Sequence, residues 1–172
     1  MRLQATCYRA HNPKWSFNPI SGDGAAIHGA RFNPKRVPAL YLALTIETAI
    51  KEINQGLGYR IDPCLLCCYD MDCADIADLR THPGRAEHGV APEELSSAWL
   101  SEPRGRTEPA TWRLARRLIA RGIAGILVPS FAPGASLKDE NLVLWKWSER
   151  PPHQVRAFDP GGRLPRDQRS WK

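Results

Sequence analysis

Short apolar runs, separated by polar stretches rich in glycine and proline, follow one another along most of the chain. Runs of this length are typical of the strands of a small sheet. Helix signals are fewer, and they consist of an N-capping residue, a carboxylate in the first turn or a glycine just past the last turn. The predicted strands are residues 3–9, 39–43, 64–71, 125–129 and 141–147, and the predicted helices begin at Thr45 and Pro109.

The ends of both helices are marked in the sequence. Thr45 is a good N-cap, and the apolar pattern that follows it should end near Gly56 or Gly58. The second helix covers Pro109 to Arg121, because a proline suits an early helical position and Gly122 lies just past the end.

The segments between these elements are predicted as turns and loops. Residues 12–29 form a loop long enough to carry function. Residues 74–79 close the third strand with a turn, and residues 80–110 form an excursion with a short helix at Pro92 to Leu100.

Strands mixed with two or three helices indicate an α+β fold, with a central mixed or antiparallel sheet flanked by helices. We expect one domain over residues 1–150, because there is neither an internal repeat nor a linker. Residues 151–172 are expected to form an extended basic tail that packs on the domain, through Val155 and Phe158, or extends from it.

The composition is that of a globular protein, with 42% hydrophobic and 24% charged residues among 172. No apolar run could span a bilayer and no signal segment opens the chain, so we expect a cytoplasmic protein without a membrane role. The net charge of +6 fits either an anionic partner or an evenly basic, soluble surface. Arg113, Arg117 and Arg121 recur at the spacing of a solvated helix face, which favours the second interpretation.

Two of the five cysteines, Cys64 and Cys67, have the spacing of a zinc knuckle. If the run from Cys64 to Tyr69 is a strand, however, alternation sends these two side chains to opposite faces. A knuckle also needs a turn between its ligands, and Leu-Leu is a poor turn sequence. We therefore expect no metal site and reduced, buried cysteines that act as small hydrophobic residues.

Three residues could together bind a phosphorylated ribose. Arg31 follows Gly29 in a glycine-rich loop, where a guanidinium could bind phosphate oxygens, although most arginines simply lie on the surface. Tyr41 lies in an aliphatic run and is either a core residue or a platform for stacking a ring. Glu52 lies at the apolar edge of the first helix, as a half-exposed residue or as a carboxylate that stabilises a sugar cation.

Ser130 and Asn141 follow or begin predicted strands. Ser130 is either a turn former or a binding hydroxyl, because no Gly-x-Ser-x-Gly motif of a serine hydrolase surrounds it. Asn141 is either a cap at a strand start or an amide partner of a substrate. The five histidines fall in predicted loops without metal spacing, and His28 beside Gly29 is the one of interest.

An ordered set of motifs over residues 5 to 147 resembles the RES domain family, which is named for its arginine, glutamate and serine. The motifs are Tyr8-Arg9, Gly29-Ala30-Arg31-Phe32-Asn33, Pro38-Ala39-Leu40-Tyr41-Leu42-Ala43, Glu47-Thr48-Ala49, Glu52, Tyr69-Asp70-Met71, Asp78-Leu79, Gly125-Ile126-Leu127-Val128-Pro129-Ser130 and Asn141-Leu142-Val143-Leu144.

The resemblance implies a fold like that of the ADP-ribosyltransferases and the function of a bacterial toxin. RES toxins act on NAD as substrate, need no further cofactor and pair with an Xre-type helix-turn-helix antitoxin. The implied reaction cleaves the nicotinamide–ribose bond with water or phosphate as acceptor. Protein mono-ADP-ribosylation is the alternative, and a basic nucleic-acid-binding module without catalysis is the second.

Matching motif positions carries the family's residues onto this chain. Arg31, with Arg9 as a second arginine, is expected to hold the pyrophosphate, and Tyr41 to stack on the nicotinamide end. Glu52 is expected to stabilise the ribosyl cation, and Ser130 and Asn141 to orient the substrate; the catalytic set is Glu52, Tyr41 and Arg31. The excursion at 80–110 and the tail match no motif of the family. The resemblance does not decide between NAD and NADP. It also leaves the oligomeric state open, with a homo-oligomer as one possibility.

Overall fold

The computed structural model describes residues 1–54, 61–97 and 108–171. Within them, five α-helices and seven strands form one α+β domain, as predicted. The strands are β1 (Leu3–His11), β2 (Leu40–Ala43), β3 (Leu65–Cys73), β4 (Ile76–Asp78), β5 (Gly125–Pro129), β6 (Glu140–Leu144) and β7 (His153–Ala157). The α-helices are α1 (Asp23–His28), α2 (Ile46–Asn54), α3 (His82–His88), α4 (Pro92–Ser96) and α5 (Ala110–Ala120), and Pro13–Trp15 and Gln168–Trp171 form 3₁₀ turns.

The strands form a mixed sheet in the order β4-β5-β6-β2-β1-β3-β7. β4 and β5 are parallel, and the other neighbours are antiparallel. β1 pairs with β3 over its full length, but it pairs with β2 at one position, where Tyr8 lies opposite Ala43. β1 and β2 therefore diverge in the middle of the sheet, and α2 packs against both strands at this point.

Two hydrophobic clusters cover the two faces of β5 and β6. Alternation places Ile126, Val128 and Val143 on one face, where Leu114 and Leu118 of α5 pack against them. The opposite face carries Leu127, Leu142 and Leu144, together with residues from β1, β2, β3 and β7. Strands from both ends of the sheet thus share one core, and β5 is apolar throughout because both of its faces are buried.

The cysteines partly follow the sequence expectation. Cys7, Cys67 and Cys73 are buried in the second cluster as small hydrophobic residues. Cys64 lies just before β3 rather than within it, so strand alternation does not determine its orientation. Cys64 and Cys68 are half-buried free thiols.

Several predicted loops contain regular structure. The loop over residues 12–29 contains α1, which is too short to be stable alone. Carbonyls of α1 instead accept hydrogen bonds from Asn33 Nδ2 and from the Arg36 N–H. Residues 74–79, predicted as a turn, contain β4, whose Ile76 and Ala77 are buried beside β5.

Other predicted boundaries also differ. The excursion contains α3 in addition to the expected short helix, and α4 ends at Ser96 rather than Leu100. β6 ends at Leu144 instead of residue 147. The predicted end of the first helix, at Gly56 or Gly58, lies outside the described residues.

The segment after Pro151 forms part of the sheet. β7 pairs with β3 along its length, and Val155 is fully buried, whereas Phe158 is 62% exposed. A five-residue strand at a sheet edge gives a weak sequence signal, because only alternate residues need to be apolar. None of the described helices is long and apolar enough to cross a membrane.

The burial of Val155 predicts a measurable role for β7 in stability. Val155→Ala should lower the free energy of unfolding by about 2 kcal/mol, because it removes apolar contacts and leaves a cavity. Arg156→Ala, which changes the neighbouring exposed position, is the control and should change stability by less than about 0.5 kcal/mol. Urea denaturation of both variants measures the free energy of unfolding. A loss for Val155→Ala as small as that for Arg156→Ala would show that β7 adds nothing to the core.

Candidate functional site

Two adjoining cavities beside α2 form a cleft: the first lies where β1 diverges from β2, and the second lies over β2, β5 and β6 beside the Arg31 turn. The first, of about 450 Å³, is lined by Arg9 and His11 of β1, among others. The second, of about 550 Å³, is lined by Arg31, Phe131 and their neighbours. Both cavities are lined by Tyr41, Glu52 and Asn141, so these three residues lie where the cavities meet. The size of each cavity is typical of sites for small molecules.

Glu52 is held by one of its two carboxylate oxygens. Ser130 Oγ donates to Glu52 Oε1 at 2.6 Å, and Asn141 Nδ2 donates to the same oxygen at 2.5 Å. Oε2 accepts no hydrogen bond from any residue in the described ranges. The carboxylate is therefore fixed in orientation, and its second oxygen is available to a bound molecule.

The structure adds a role for Ser130 and Asn141 to those the sequence indicated. Both side chains donate to Glu52, which makes them supports of the carboxylate. Ser130 Oγ also accepts from the Ala132 N–H at 3.2 Å, so the serine forms a turn as well. Asn141 is paired with Ala43 in the sheet, which places its amide beside α2.

Arg31 lies on a tight turn whose backbone is fixed from several sides. Ala30 and Asn33 pair with each other across the turn. The indole N–H groups of Trp112 and Trp145 donate to the carbonyls of Ala30 and Phe32, each at 2.8 Å. The turn therefore holds the backbone that presents Arg31 to the second cavity.

Asn33 and Tyr41 connect this turn to the sheet. The fully buried Asn33 donates through Nδ2 to the carbonyls of Ala25 and Val37, and its Oδ1 accepts from the Tyr41 hydroxyl at 2.8 Å. The same hydroxyl accepts from the Phe32 N–H at 2.9 Å. Burial raises the pKa of Tyr41 well above its usual value, so the phenol stays neutral. Tyr41 lines both cavities, while its hydroxyl is hydrogen-bonded within the protein to Phe32 and Asn33.

The two arginines of the cleft bind neutral groups. Arg31 Nη1 donates to the Ser97 carbonyl at 2.9 Å, and its guanidinium lies over the Phe131 ring at 4.6 Å. Arg9 Nη1 donates to the Ser21 carbonyl at 3.0 Å. Burial lowers the pKa of both guanidinium groups, which nevertheless remain charged at neutral pH. Within the described part of the chain, no carboxylate forms an ion pair with either arginine.

Some other arginines of the chain are paired with carboxylates, although Arg85 and Arg121 bind only backbone carbonyls among the described residues. Arg80 contacts Asp78 and Glu140, each at 2.7 Å, and Arg117 contacts Glu94 at 3.1 Å. The cleft arginines thus differ from Arg80 and Arg117 in forming no direct ion pair within the described ranges, although the Glu52 carboxylate attracts Arg31 across the cleft. The N–H groups of both cleft arginines can still bind an anion.

The prediction that the five histidines lie in loops is wrong, because each lies in a strand or a helix, with His28 at the end of α1 and His82 and His88 at the two ends of α3. His11 ends β1 and His153 begins β7, and both are buried. His11 Nε2 lies 2.5 Å from Tyr69 Oη, and burial together with the charge of Arg9 lowers the pKa of His11 to about 3. This imidazole is therefore neutral at physiological pH. His28 is exposed at the end of α1 and lines neither cavity.

The structure thus brings five predicted residues into the cleft, with Ser130 hydrogen-bonded behind Glu52. Three supports of the Arg31 turn were not predicted from the sequence: Asn33, Trp112 and Trp145. A buried indole N–H group needs a hydrogen-bond acceptor, so the two tryptophans could have been expected to bind a carbonyl. The sequence does not show which carbonyl, because the acceptors lie more than 80 positions away. In the described ranges, no group of three His, Cys, Asp or Glu side chains is placed to hold a metal ion.

Comparisons with known proteins agree with this architecture. The fold is similar to that of a chain in the crystal structure of the M. tuberculosis MbcT–MbcA toxin–antitoxin complex, with a TM-score of 0.63 and 21% identity. The similarity covers 92% of this chain and 84% of that one. The expected single-domain α+β fold is confirmed. No curated protein sequence matches the chain significantly. The sequence profile of the RES domain matches residues 6–167, and the chain therefore belongs to the RES domain family.

Proposed function

We propose that this chain is the toxin of a toxin–antitoxin pair and degrades NAD by cleaving its nicotinamide–ribose bond. The observation that carries the proposal is a carboxylate, Glu52, fixed through one oxygen between two cavities that each contain an unpaired arginine. Two adjoining cavities offer room for the two ends of a dinucleotide, and we place its nicotinamide ribose where they meet, beside Glu52.

The arginines supply the attraction for the pyrophosphate. Arg9 and Arg31 each use part of the guanidinium on a backbone carbonyl and keep their charge. A partly buried guanidinium with free N–H groups binds phosphate oxygens more strongly than an exposed one, because water screens the charge less. We assign the pyrophosphate to the region between these two side chains.

Glu52 supplies the stabilisation of the transition state. As the bond to nicotinamide breaks, positive charge develops on the ribose, and the free Oε2 of Glu52 can stabilise that charge or bind the ribose hydroxyls. Nicotinamide leaves as a neutral molecule from a cationic ring, so no general acid is required. The neutral His11 is consistent with this mechanism. The Tyr41 ring is the stacking surface for the nicotinamide end.

The basic helix favours this enzyme over a nucleic-acid-binding module. Arg116 and Arg117 of α5 are paired with the carboxylates of Glu108 and Glu94, whereas Arg113 and Arg121, which lies just past the helix, donate to backbone carbonyls. Two of these four charges are thus neutralised within the protein and are less available to a phosphate backbone.

A protein partner fits the open cleft. The similar fold described above comes from a toxin–antitoxin complex. We extend that pairing to this chain and propose an antitoxin of the Xre type that covers the cleft and excludes NAD.

Nicotinamide release by the purified chain tests the reaction. Incubation with NAD, with and without phosphate, followed by separation of nicotinamide, ADP-ribose and its phosphorylated form, also identifies the acceptor. Label transferred to a protein would instead indicate mono-ADP-ribosylation. No release of nicotinamide under any of these conditions would contradict the proposal.

The first variant to test is Glu52→Gln. It should lower kcat by roughly 10²–10³-fold, because the amide keeps the size of the side chain but not the negative charge that faces the ribosyl cation. NAD binding, measured by calorimetry, should remain. Glu47→Gln, on the exposed side of the same helix, is the matched control and should retain full activity. Unchanged turnover of the Glu52 variant would remove Glu52 from the mechanism.

Arg31→Gln should chiefly weaken binding. A charge-assisted hydrogen bond contributes about 1.5–3 kcal/mol, so KM should rise roughly 10- to 100-fold. The exposed Arg150→Gln removes the same charge away from the cleft and should leave KM unchanged. Equal KM values for both variants would indicate that Arg31 does not contact the pyrophosphate.

A further inference from the structure

Asp139 is a buried carboxylate outside both cavities. It lies directly before β6 and is only 4% exposed. Its Oδ1 accepts from Thr48 Oγ1 at 2.8 Å, and its Oδ2 accepts from Lys51 Nζ at 2.8 Å. The N–H and the hydroxyl of Ser136 also donate to Oδ2, at 2.6 and 2.8 Å. These donors, Lys51 first, hold the pKa of Asp139 far below its usual value, so the group is a permanent anion near neutral pH.

The partners of Asp139 lie in the segments that build the Glu52 site. Thr48 lies one helical turn before Glu52 on α2, and Lys51 immediately precedes Glu52. The backbone carbonyl of Asp139 accepts from the Ser130 N–H at 2.7 Å. Asn141 lies two positions further along the chain, in β6. Asp139 therefore joins α2 to the backbone of Ser130, and it lies two residues before Asn141.

This arrangement is distinct from the cleft itself. The residues that line the two cavities do not include Asp139. Any effect of Asp139 on a bound molecule must pass through the elements it joins. These elements determine the hydrogen-bond geometry at Glu52 Oε1 on α2, which accepts from Ser130 in the β5–β6 loop and from Asn141 in β6.

We propose that Asp139 is a positioning residue that keeps α2 in register with Ser130 and Asn141, so that both donors reach Oε1 of Glu52. Its kinetic consequence rests on the proposed NAD-cleaving function. The geometric consequence, the hydrogen bond from Asn141 to Glu52, does not.

Asp139→Asn is the direct test. The amide introduces an N–H group among the donors, so α2 should lose part of its attachment to the β5–β6 loop. A displacement of about 1 Å at a catalytic group can lower the rate by about 100-fold, so kcat should fall 10- to 100-fold with little change in KM. Thr48→Val removes one donor without changing the shape, and it should give a smaller loss of kcat if the first variant folds poorly.

Two readouts separate positioning from general destabilisation. The first is the NMR resonance of the Asn141 side-chain amide, which should shift in both variants when its hydrogen bond to Glu52 changes. The second is the rate of single-turnover nicotinamide release, measured for Glu52→Gln alone and for Glu52→Gln combined with Asp139→Asn. The two rates should be equal, because Asp139 acts only through Glu52. Asp72→Asn, which alters a carboxylate paired with Arg2 far from the cleft, is the control for both readouts.

The outcomes decide the proposal separately from the function. A shifted Asn141 resonance, with a fall in kcat confined to the chain that keeps Glu52, supports the role of Asp139. An unshifted resonance, or the same fall in both backgrounds, overturns it. If the unaltered chain releases no nicotinamide, the proposed function fails, and the resonance alone still decides whether Asp139 positions Glu52.

Discussion

The hydrogen bonds from Ser130 and Asn141 to one oxygen of Glu52 are the constraint on which the site depends. They join a helix, a loop and a central strand at one atom. A carboxylate fixed in this way needs no reorganisation when charge develops near its other oxygen. The single pairing between β1 and β2 leaves room for the first of the two cavities beside the helix.

Charge is distributed around that carboxylate in an unusual way. The two arginines of the cleft are oriented by backbone carbonyls and, for Arg31, by an aromatic ring, none of which neutralises a guanidinium. Arginines elsewhere, such as Arg80, are paired with acids. The excursion after β4 has a part in this, since the carbonyl that holds Arg31 belongs to Ser97, directly after α4. A segment that matched no motif thus supports a residue of the site.

The sequence predicted the elements that carry a local signal. The capped helix from Thr45 and the apolar strand before Ser130 are in place, and they bring Glu52, Tyr41 and Arg31 into one cleft. Interactions between distant residues were out of reach. No local pattern shows that Trp112 donates to Ala30, that the buried Asn33 joins several segments by hydrogen bonds, or that Ser130 and Asn141 donate to Glu52. The edge strand β7 was missed because its burial depends on β3.

The most direct measurement is a crystal structure of the Glu52→Gln chain with NAD bound. The account predicts the pyrophosphate between Arg9 and Arg31, the nicotinamide ring on Tyr41, and the anomeric carbon of the nicotinamide ribose within about 3.5 Å of the side chain at position 52. NAD bound with its nicotinamide ribose away from position 52, or outside the cleft, would contradict the account.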